Sequence, residues 1–352
     1  MNNFILRKNW MNIIDDTDCF LPDGSTVLVT GAAGLIGSEF VKFLLCYKKI
    51  HNINIKIIAV VRNYEKTLSV FAGMLKDTDD LDFIVGSIEN FTVKTEKIDY
   101  IIHAASNTSS KAFVNNPVEV INTAVNGTLH VLEIAKDKQI KKMIFLSTME
   151  VYGYPKKGEL VNEYYVGRLS SLNVRNSYPL SKMMCENICV GYCSEFDVPV
   201  VVARLTQTFG AGVDLSRDQR IFAYIARCIM NHENIILKTE GKTERCYCSI
   251  SDAISGLLYL LNSGVSGEAY NVSSDNTYCS IADMCELVAS KYDINVKYDI
   301  QDISASGFAD TLYMNLDNAK LKALGWKSRT NSILDIFADM LNELYSYVER
   351  TL

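Results

Sequence analysis

Through its first two hundred residues the chain alternates short, nearly continuous apolar runs with longer stretches whose apolar residues recur every three or four positions. The runs Thr26–Thr30, Lys56–Val61, Asp82–Val85, Tyr100–His103, Lys142–Ser147 and Pro199–Val202 are rich in β-branched residues. Such segments suit strands covered on both faces, as in a parallel sheet. Between them, Leu35–Tyr47, Pro117–Lys136 and Ser177–Phe196 carry the spacing of helices with one apolar face. Strand–helix alternation of this kind predicts an α/β fold, a doubly wound parallel Rossmann-type sheet, over residues 26–204.

After Arg204 the rhythm changes. Helical stretches at Gln219–Met230, Ser251–Asn262, Ile281–Lys291 and Ser332–Val348 are separated by short strand-like pieces. They predict a smaller mixed α/β lobe over 205–352 that covers a substrate, with some elements free to return to the first domain. Residues 1–25 precede the opening strand and are expected to pack as an extension whose role the sequence does not reveal.

Composition narrows the function classes. With 48% apolar and 22% charged residues in 352, the chain reads as a folded globular protein. A net charge of −6 with no Lys/Arg-rich block argues against a nucleic-acid partner, so an anionic substrate needs a local cluster of cations. Arg7 and Lys8 interrupt the first apolar stretch, which therefore lacks the core of a signal peptide. No apolar run reaches the roughly 18 residues of a membrane span. A cytoplasmic location with reduced thiols is the expectation for the ten cysteines. Cys185, Cys189 and Cys193 fall on one stripe of a helix and read as packing residues rather than metal ligands. Cys246-x-Cys248 reads as strand alternation, since no second Cys/His pair has suitable spacing for zinc.

Two motifs carry chemistry. Directly after the first strand comes Thr30-Gly31-Ala32-Ala33-Gly34-Leu35-Ile36-Gly37. Glycine is needed where backbone approaches a pyrophosphate, and the helix that follows offers free N–H groups and a positive dipole end. A tight strand–helix turn with no ligand would use the same glycines. At the end of the second strand, NAD sites usually hold an acid against the ribose hydroxyls; here the segment is Val60-Val61-Arg62-Asn63. Arg62 suits a ribose phosphate, favouring NADP over NAD, or is simply an exposed arginine.

The second motif is Tyr178-Pro179-Leu180-Ser181-Lys182, with Thr148 at the end of the fifth strand. Tyr178 and Lys182 share a helical face. An ammonium beside the phenol, with a nicotinamide cation near, would lower its pKa from about 10 and make a base for a sugar or alcohol hydroxyl. Thr148 lies at the carboxyl edge of the sheet, where ligands sit in open α/β folds, and its hydroxyl would hold the reacting oxygen.

Together these residues resemble the extended short-chain dehydrogenase/reductase family, the NAD(P)-dependent nucleotide-sugar epimerases, dehydratases and decarboxylases. The resemblance covers the chain from about residue 25. It rests on the glycine loop, on His103-Ala104-Ala105-Ser106, on Ser147-Thr148-Met149-Glu150-Val151-Tyr152-Gly153 and on Tyr178-x-x-x-Lys182. Arg204-x-x-Gln207-x-x-Gly210, Gly241-Lys242-x-x-Arg245 and Leu324-Gly325-Trp326 extend it. It implies NAD or NADP over Gly31, Gly34, Leu35, Ile36, Gly37, Arg62, Ser87, Ile88, Ala104, Ala105 and Lys182. It implies a nucleotide-diphosphate sugar held by Ser106, Gln207, Arg220 and Arg245, with a surface ion pair as the plainer role for either arginine. Hydride removal from sugar carbon 4 would give a transient ketone, with Tyr178 as base, Lys182 as its partner and Thr148 as orienter.

Glu150 resembles the second carboxylate of the dehydratases and decarboxylases, where plain 4-epimerases carry an uncharged residue. Dehydratases place Asp-Glu here; Met149 replaces the Asp, which puts dehydration in doubt. An ion pair at the helix edge is the structural alternative for Glu150. The family's Asn before its fourth-helix Gly-Thr is Ala124, its Asp after the third-strand Gly is Ser87, and its Arg-Pro-Gly-Asp segment is Ser304-Ala305-Ser306-Gly307. The sequence leads to an epimerase first, a UDP-glucuronate-type decarboxylase or 4,6-dehydratase next, then an NADPH-dependent ketosugar reductase. A non-catalytic cofactor-binding sensor is the reading from another class. The resemblance further implies a homodimer formed through the helices Pro117–Lys136 and Ser177–Phe196.

Overall fold

The computed structural model describes residues 8–15, 21–72, 81–300 and 311–351. Its centre is a sheet built from β1 (Ser25–Thr30), β2 (Ile55–Val61), β3 (Leu81–Val85), β4 (Tyr100–His103) and β5 (Lys142–Thr148). After β6 (Leu160–Val161), which lies elsewhere, β7 (Val200–Leu205) joins it. A late strand, β12 (Ala269–Val272), completes seven in the order β12-β7-β5-β4-β1-β2-β3, every pairing parallel. The six apolar runs read from the sequence are the first six of these strands, with ends moved by a few residues.

Period-two alternation within the runs decides which layer each residue meets. Val27 and Val29 of β1 and Ile57 and Ala59 of β2 face one way, with α1 (Lys8–Asp15), α2 (Leu35–His51) and a later helix, α8 (Ile250–Ser263). Leu28, Ile58 and Val60 face the other, with α5 (Pro117–Asp137) and α6 (Ser177–Phe196). Short helices α3 (Tyr64–Val70) and α4 (Ser110–Asn115) fall between α2 and α5 in the chain. Both tryptophans, Trp10 of α1 and Trp326, are buried in the first layer. Of the residues before β1, the described helix α1 packs on the core through Trp10, Ile13 and Ile14.

Small residues let α5 and α6 approach closely. Cys185 and Cys189 are buried in their seam, and the Cys185 thiol donates to the Ala124 carbonyl at 3.2 Å. This explains Cys185 and Cys189 of the cysteine stripe as packing residues. Burial pushes both thiols up, as befits packing groups. Every described cysteine is free, and no cluster fit for a metal occurs among the described residues. Cys246 and Cys248 are both buried but in separate clusters, and only Cys248 lies in a strand.

The rest of the second half contains α7 (Ile221–Asn231), α9 (Ile281–Tyr292), α10 (Ala319–Lys322) and α11 (Ile333–Thr351), with several short strands. Helices α7, α9 and α11 share one core cluster with β9 (Ile235–Leu237) and Tyr247 of β11 (Tyr247–Ser249). Two parallel pairs, β8 (Gln207–Phe209) with β11 and β9 with β14 (Val296–Tyr298), flank it. A four-stranded sheet runs β13-β10-β15-β6, with β10 (Glu244–Arg245), β13 (Cys279–Ser280) and β15 (Tyr313–Leu316). Serine side chains begin two of the helices: Ser249 caps α8, and Ser280 with Asp283 forms a reciprocal capping box on α9. Elements α8 and β12 belong to the first layer and the parallel sheet, so the chain after residue 205 serves both parts. No described helix is long and apolar enough to cross a membrane.

A polar network locks α6 to the sheet. Arg204 of β7 donates to Glu186 of α6 through Nε (3.0 Å) and a terminal nitrogen (2.7 Å). Glu186 also accepts from Ser147 of β5 at 2.5 Å. The other guanidinium nitrogen of Arg204 reaches the Tyr152 hydroxyl at 3.0 Å and the Glu163 carbonyl at 2.9 Å. Tyr152 in turn donates to Asn271 of β12 at 2.6 Å. A second tie uses Asp99, which accepts from the Thr26 N–H at 2.9 Å and pairs with Lys97 and Lys141 at 3.0 and 3.1 Å. Burial alone would raise the Asp99 carboxyl, but the Thr26 N–H and the two ammonium groups outweigh it and hold it below the usual value.

Removing one partner of a largely buried pair strands the other charge. Arg204→Met is expected to lower unfolding stability in urea by about 3 kcal/mol, and the double change with Glu186→Leu to lower it less. For Asp99 the depressed folded pKa means stability is present above the unfolded value of about 4 and lost as pH falls through the folded one. Acid titrations of stability should therefore be flatter below about pH 4 in Asp99→Asn than in the wild type.

Candidate active site

The glycine loop turns tightly at the end of β1. Gly31 has φ +65°, and a Cβ there would sit 2.7 Å from the backbone of Ala104 and Ala105. That contact brings the loop after β1 against the loop after β4, and only glycine fits it. Gly37 is as constrained, since a Cβ would come within 2.4 Å of the Gly31 carbonyl oxygen. Gly34 is the N-cap of α2, and no side chain caps that helix. A 17-residue helix therefore opens over a glycine floor with its first N–H groups free of side-chain partners, which fits a pyrophosphate. Leu35 and Ile36 form the first turn and pack against the first core layer.

His103, at the end of β4, is fully enclosed. Its Nδ1 lies 2.7 Å from the Thr30 hydroxyl and its Nε2 3.2 Å from the Thr128 hydroxyl. Burial, helped by the Lys182 charge, lowers its pKa to about 3 and keeps the ring neutral. The Thr30 hydroxyl also accepts from the Ala105 N–H at 3.2 Å, which fixes the loop carrying Ala104, Ala105 and Ser106.

Tyr178 lies in the first turn of α6, buried, with its ring stacked on Phe113 of α4 at 4.5 Å and 3°. The hydroxyls of Thr148 and Ser106 face its oxygen and favour the ionised form. Thr148 is the last residue of β5 and caps the short turn Met149–Tyr152, accepting from the Glu150 N–H at 3.2 Å. Glu150 projects from that turn into an ion pair with Arg175 at 3.1 Å. Arg175 sits in a one-turn 3₁₀ segment, Val174–Asn176, just ahead of α6, with its guanidinium 4.9 Å from the Phe113 ring centre.

One expectation is corrected here. The protein's own groups push the Tyr178 phenol well up rather than down, through burial first and the Glu150 charge second. The buried Lys182 ammonium donates to the Leu146 carbonyl at 2.7 Å and lies 4.6 Å from the Phe145 ring centre. Burial lowers the Lys182 pKa in consequence. Arg175 is a positive group that bears on the phenol.

The remaining predicted residues are spread more widely. Arg62 is exposed, with no side-chain partner among the described residues, while Asn63 caps α3. Ser87 is exposed after β3, and Ile88 is buried against Gly127 of α5. Gln207 opens β8, half-buried. Arg220 stands at the N-cap of α7 in a two-pronged pair with Asp218, so the ion-pair reading applies to it. Arg245 differs: its buried Nε has no hydrogen-bond partner among the described residues, although its charge bears on the Tyr247 phenol. A buried guanidinium N–H left open fits a phosphate oxygen. The segment Ser304–Gly307 lies outside the described residues.

Sequence reasoning missed Phe113, Arg175 and Glu186. Arg175 stands three residues before Tyr178, a spacing that could have singled it out. Glu186 follows Lys182 by one helical turn, on the same face. Phe113 had no local signal, since its role depends on where α4 folds.

Comparison with known proteins agrees with this arrangement. The family model described as NAD dependent epimerase/dehydratase family matches residues 27–273, well over half of the chain. A dTDP-D-glucose 4,6-dehydratase of Dictyostelium discoideum is 28% identical over 261 residues, covering 71% of this chain and 58% of its own. UDP-glucuronic acid decarboxylase 1 of Danio rerio is 28% identical over 291 residues, covering 80% and 65%. The chain thus spans less than two thirds of the length of either relative. The fold matches the crystal structure of UDP-glucuronic acid 4-epimerase from Bacillus cereus in complex with UDP-glucuronic acid and NAD. There the TM-score is 0.75 and the identity 20%, with 92% of this chain and 99% of that one covered. With its glycine loop, its Thr148–Tyr178 contact and a family match of this extent, the chain belongs to the NAD-dependent epimerase/dehydratase family, the extended short-chain dehydrogenases/reductases.

Proposed function

We propose that this protein binds NAD or NADP and a nucleotide-diphosphate sugar and oxidises sugar carbon 4 to a transient ketone, completing an epimerisation. The observation that carries this reading is the Tyr178 phenol buried against the hydroxyls of Thr148 and Ser106, beside a glycine-lined helix N-terminus without a side-chain cap. That combination gives an acid–base group and an anion cradle at one end of the sheet.

Thr148 would hold the sugar hydroxyl while Tyr178 takes its proton. The cofactor, when bound, supplies the acceptor for the hydride of carbon 4. Lys182, held by the Leu146 carbonyl, would add positive charge beneath that site. The buried open N–H of Arg245 would take a phosphate oxygen, supplying the local cation that a chain of net charge −6 needs. Gly31, Gly34, Leu35, Ile36, Gly37, Ala104 and Ala105 would line the dinucleotide. Arg62, exposed and unpaired, leaves a ribose phosphate acceptable. The relatives' solved complex holds NAD, so both cofactors stay within the proposal.

A second reading, decarboxylation of a nucleotide uronic acid, draws on the Glu150–Arg175 pair beside the phenol. This reading gives the carboxylate a place in the step after ketone formation, and the Danio rerio relative is a UDP-glucuronic acid decarboxylase. The outer faces of α5 and α6 expose Val118, Ile121, Met183, Met184 and Val190, which supports a homodimer through these helices.

Incubation with a panel of UDP-, dTDP-, GDP- and CDP-sugars, followed by mass spectrometry, separates the reactions: unchanged mass for epimerisation, loss of carbon dioxide for decarboxylation, loss of water for dehydration. Turnover without added nucleotide excludes the net reductase. Tyr178→Phe is expected to slow turnover on the order of 10²- to 10⁴-fold with cofactor binding retained; unchanged turnover removes Tyr178 as the base. In Glu150→Gln the first ketone should still form, seen as reduced cofactor at about 340 nm, while later chemistry stalls.

A further inference from the structure

Arg175 is fixed from several directions. Its backbone N–H is held by the Asn173 side chain at 3.0 Å, and the neighbouring Asn176 amide donates to the Ser170 carbonyl at 3.0 Å. One guanidinium nitrogen pairs with Glu150, with both side chains three-quarters shielded. The guanidinium lies over Phe113, whose ring is stacked on Tyr178. Ser177 ties α4 to the start of α6 by donating to the Phe113 carbonyl at 2.9 Å. An arginine, an aromatic ring and a phenol are thus held in series, with a carboxylate bound to the arginine and acting on the phenol.

The groups facing the phenol are few. The strand end and turn after β4 and β5 bring Ser106, Thr148 and Glu150. Val120 of α5 and Phe113 of α4 pack on it and carry no charge. From its own side of the site come Arg175 and, one turn on, Lys182, whose ammonium is taken up by Leu146. Glu150 makes an ionised phenol less favourable and Arg175 makes it more so. A unit charge bearing on a buried group changes its ionisation constant on the order of tenfold.

We propose that Arg175 is a positioning residue of this site: paired with Glu150 and stacked on Phe113, it cancels the carboxylate's field at Tyr178 and holds the aromatic wall behind the phenol. The inference rests on the reading of Tyr178 as the base. It lets one pocket keep a carboxylate for a later step without disabling the proton acceptor of the first step.

The test is the pH dependence of ketone formation in a single turnover, read at about 340 nm with the nucleotide sugar that the panel identifies. A base must be ionised to act, so the rate rises with pH until the phenol is titrated. Arg175→Gln removes a favourable cation and is expected to move this limb up by about one pH unit, a tenfold change. Glu150→Gln should move it down, the double variant should return it near the wild type, and Arg175→Lys should leave it in place. A merely structural Arg175 would lower the amplitude and the melting temperature in Arg175→Gln but leave the limb where it was, and that result overturns the inference. Should Arg175→Gln not fold, an unmoved limb in Glu150→Gln overturns it equally. A wild type that turns over no sugar removes the functional reading and this inference with it.

Discussion

The two-pronged bond between Arg204 and Glu186 is the constraint on which the site's geometry depends. It joins β7 to the middle of α6, and through Ser147 it also fixes the residue that precedes Thr148. Tyr178 and Thr148 sit on different elements that are thirty residues apart, and their hydroxyls meet only if α6 cannot slide along the sheet. A hydrophobic seam of small residues between α5 and α6 gives adhesion but little resistance to such sliding. A charged fork that satisfies two carboxylate oxygens at fixed angles supplies the register. The same arginine reaches Tyr152 and the Glu163 carbonyl, so the turn after β5 and the loop beyond it share the anchor.

Around that anchor the site separates its charges by burying them unequally. His103 is kept neutral by burial and by the Lys182 charge, while hydroxyls on both sides satisfy its nitrogens. Lys182 is spent on a backbone carbonyl and an aromatic face, which keeps an ammonium in the sheet's interior without a carboxylate touching it. Glu150 and Arg175 retain partial solvent access and neutralise one another. The phenol between them meets mostly apolar walls. A protein arranged in this way leaves the decisive charge to arrive with its ligands, and its own residues set how much help that charge must give.

Most of the fold was legible because its strands are short, apolar and separated by helices with clear periodicity. Thr26–Thr30 or Tyr100–His103 had nowhere else to go. Legibility failed where three-dimensional return was involved. Nothing local in Ala269–Val272 announces that it is the seventh strand of a sheet begun two hundred and forty residues earlier. In the site, motif spacing identified Gly31, Thr148, Tyr178 and Lys182 as residues to bring together. Helical spacing puts Lys182 on the right side of α6 but cannot see the Leu146 carbonyl to which its ammonium donates. Arg220 shows the same limit, since a neighbouring Asp218 decided its partner. Arg245 is the opposite case, an arginine whose buried Nε has no hydrogen-bond partner among the described residues, although its charge bears on the Tyr247 phenol.

The placement of Trp10 and Trp326 has an optical consequence. They are the chain's two tryptophans, and both are enclosed in the layer formed by α1, α2 and α8. Intrinsic emission therefore views the molecule from one side. It registers the docking of the amino-terminal helix and, because Trp10 lines a small cavity with Ile336 and Asp339 of α11, the seating of that helix as well. Detachment of one eight-residue helix would redden half of the signal's sources.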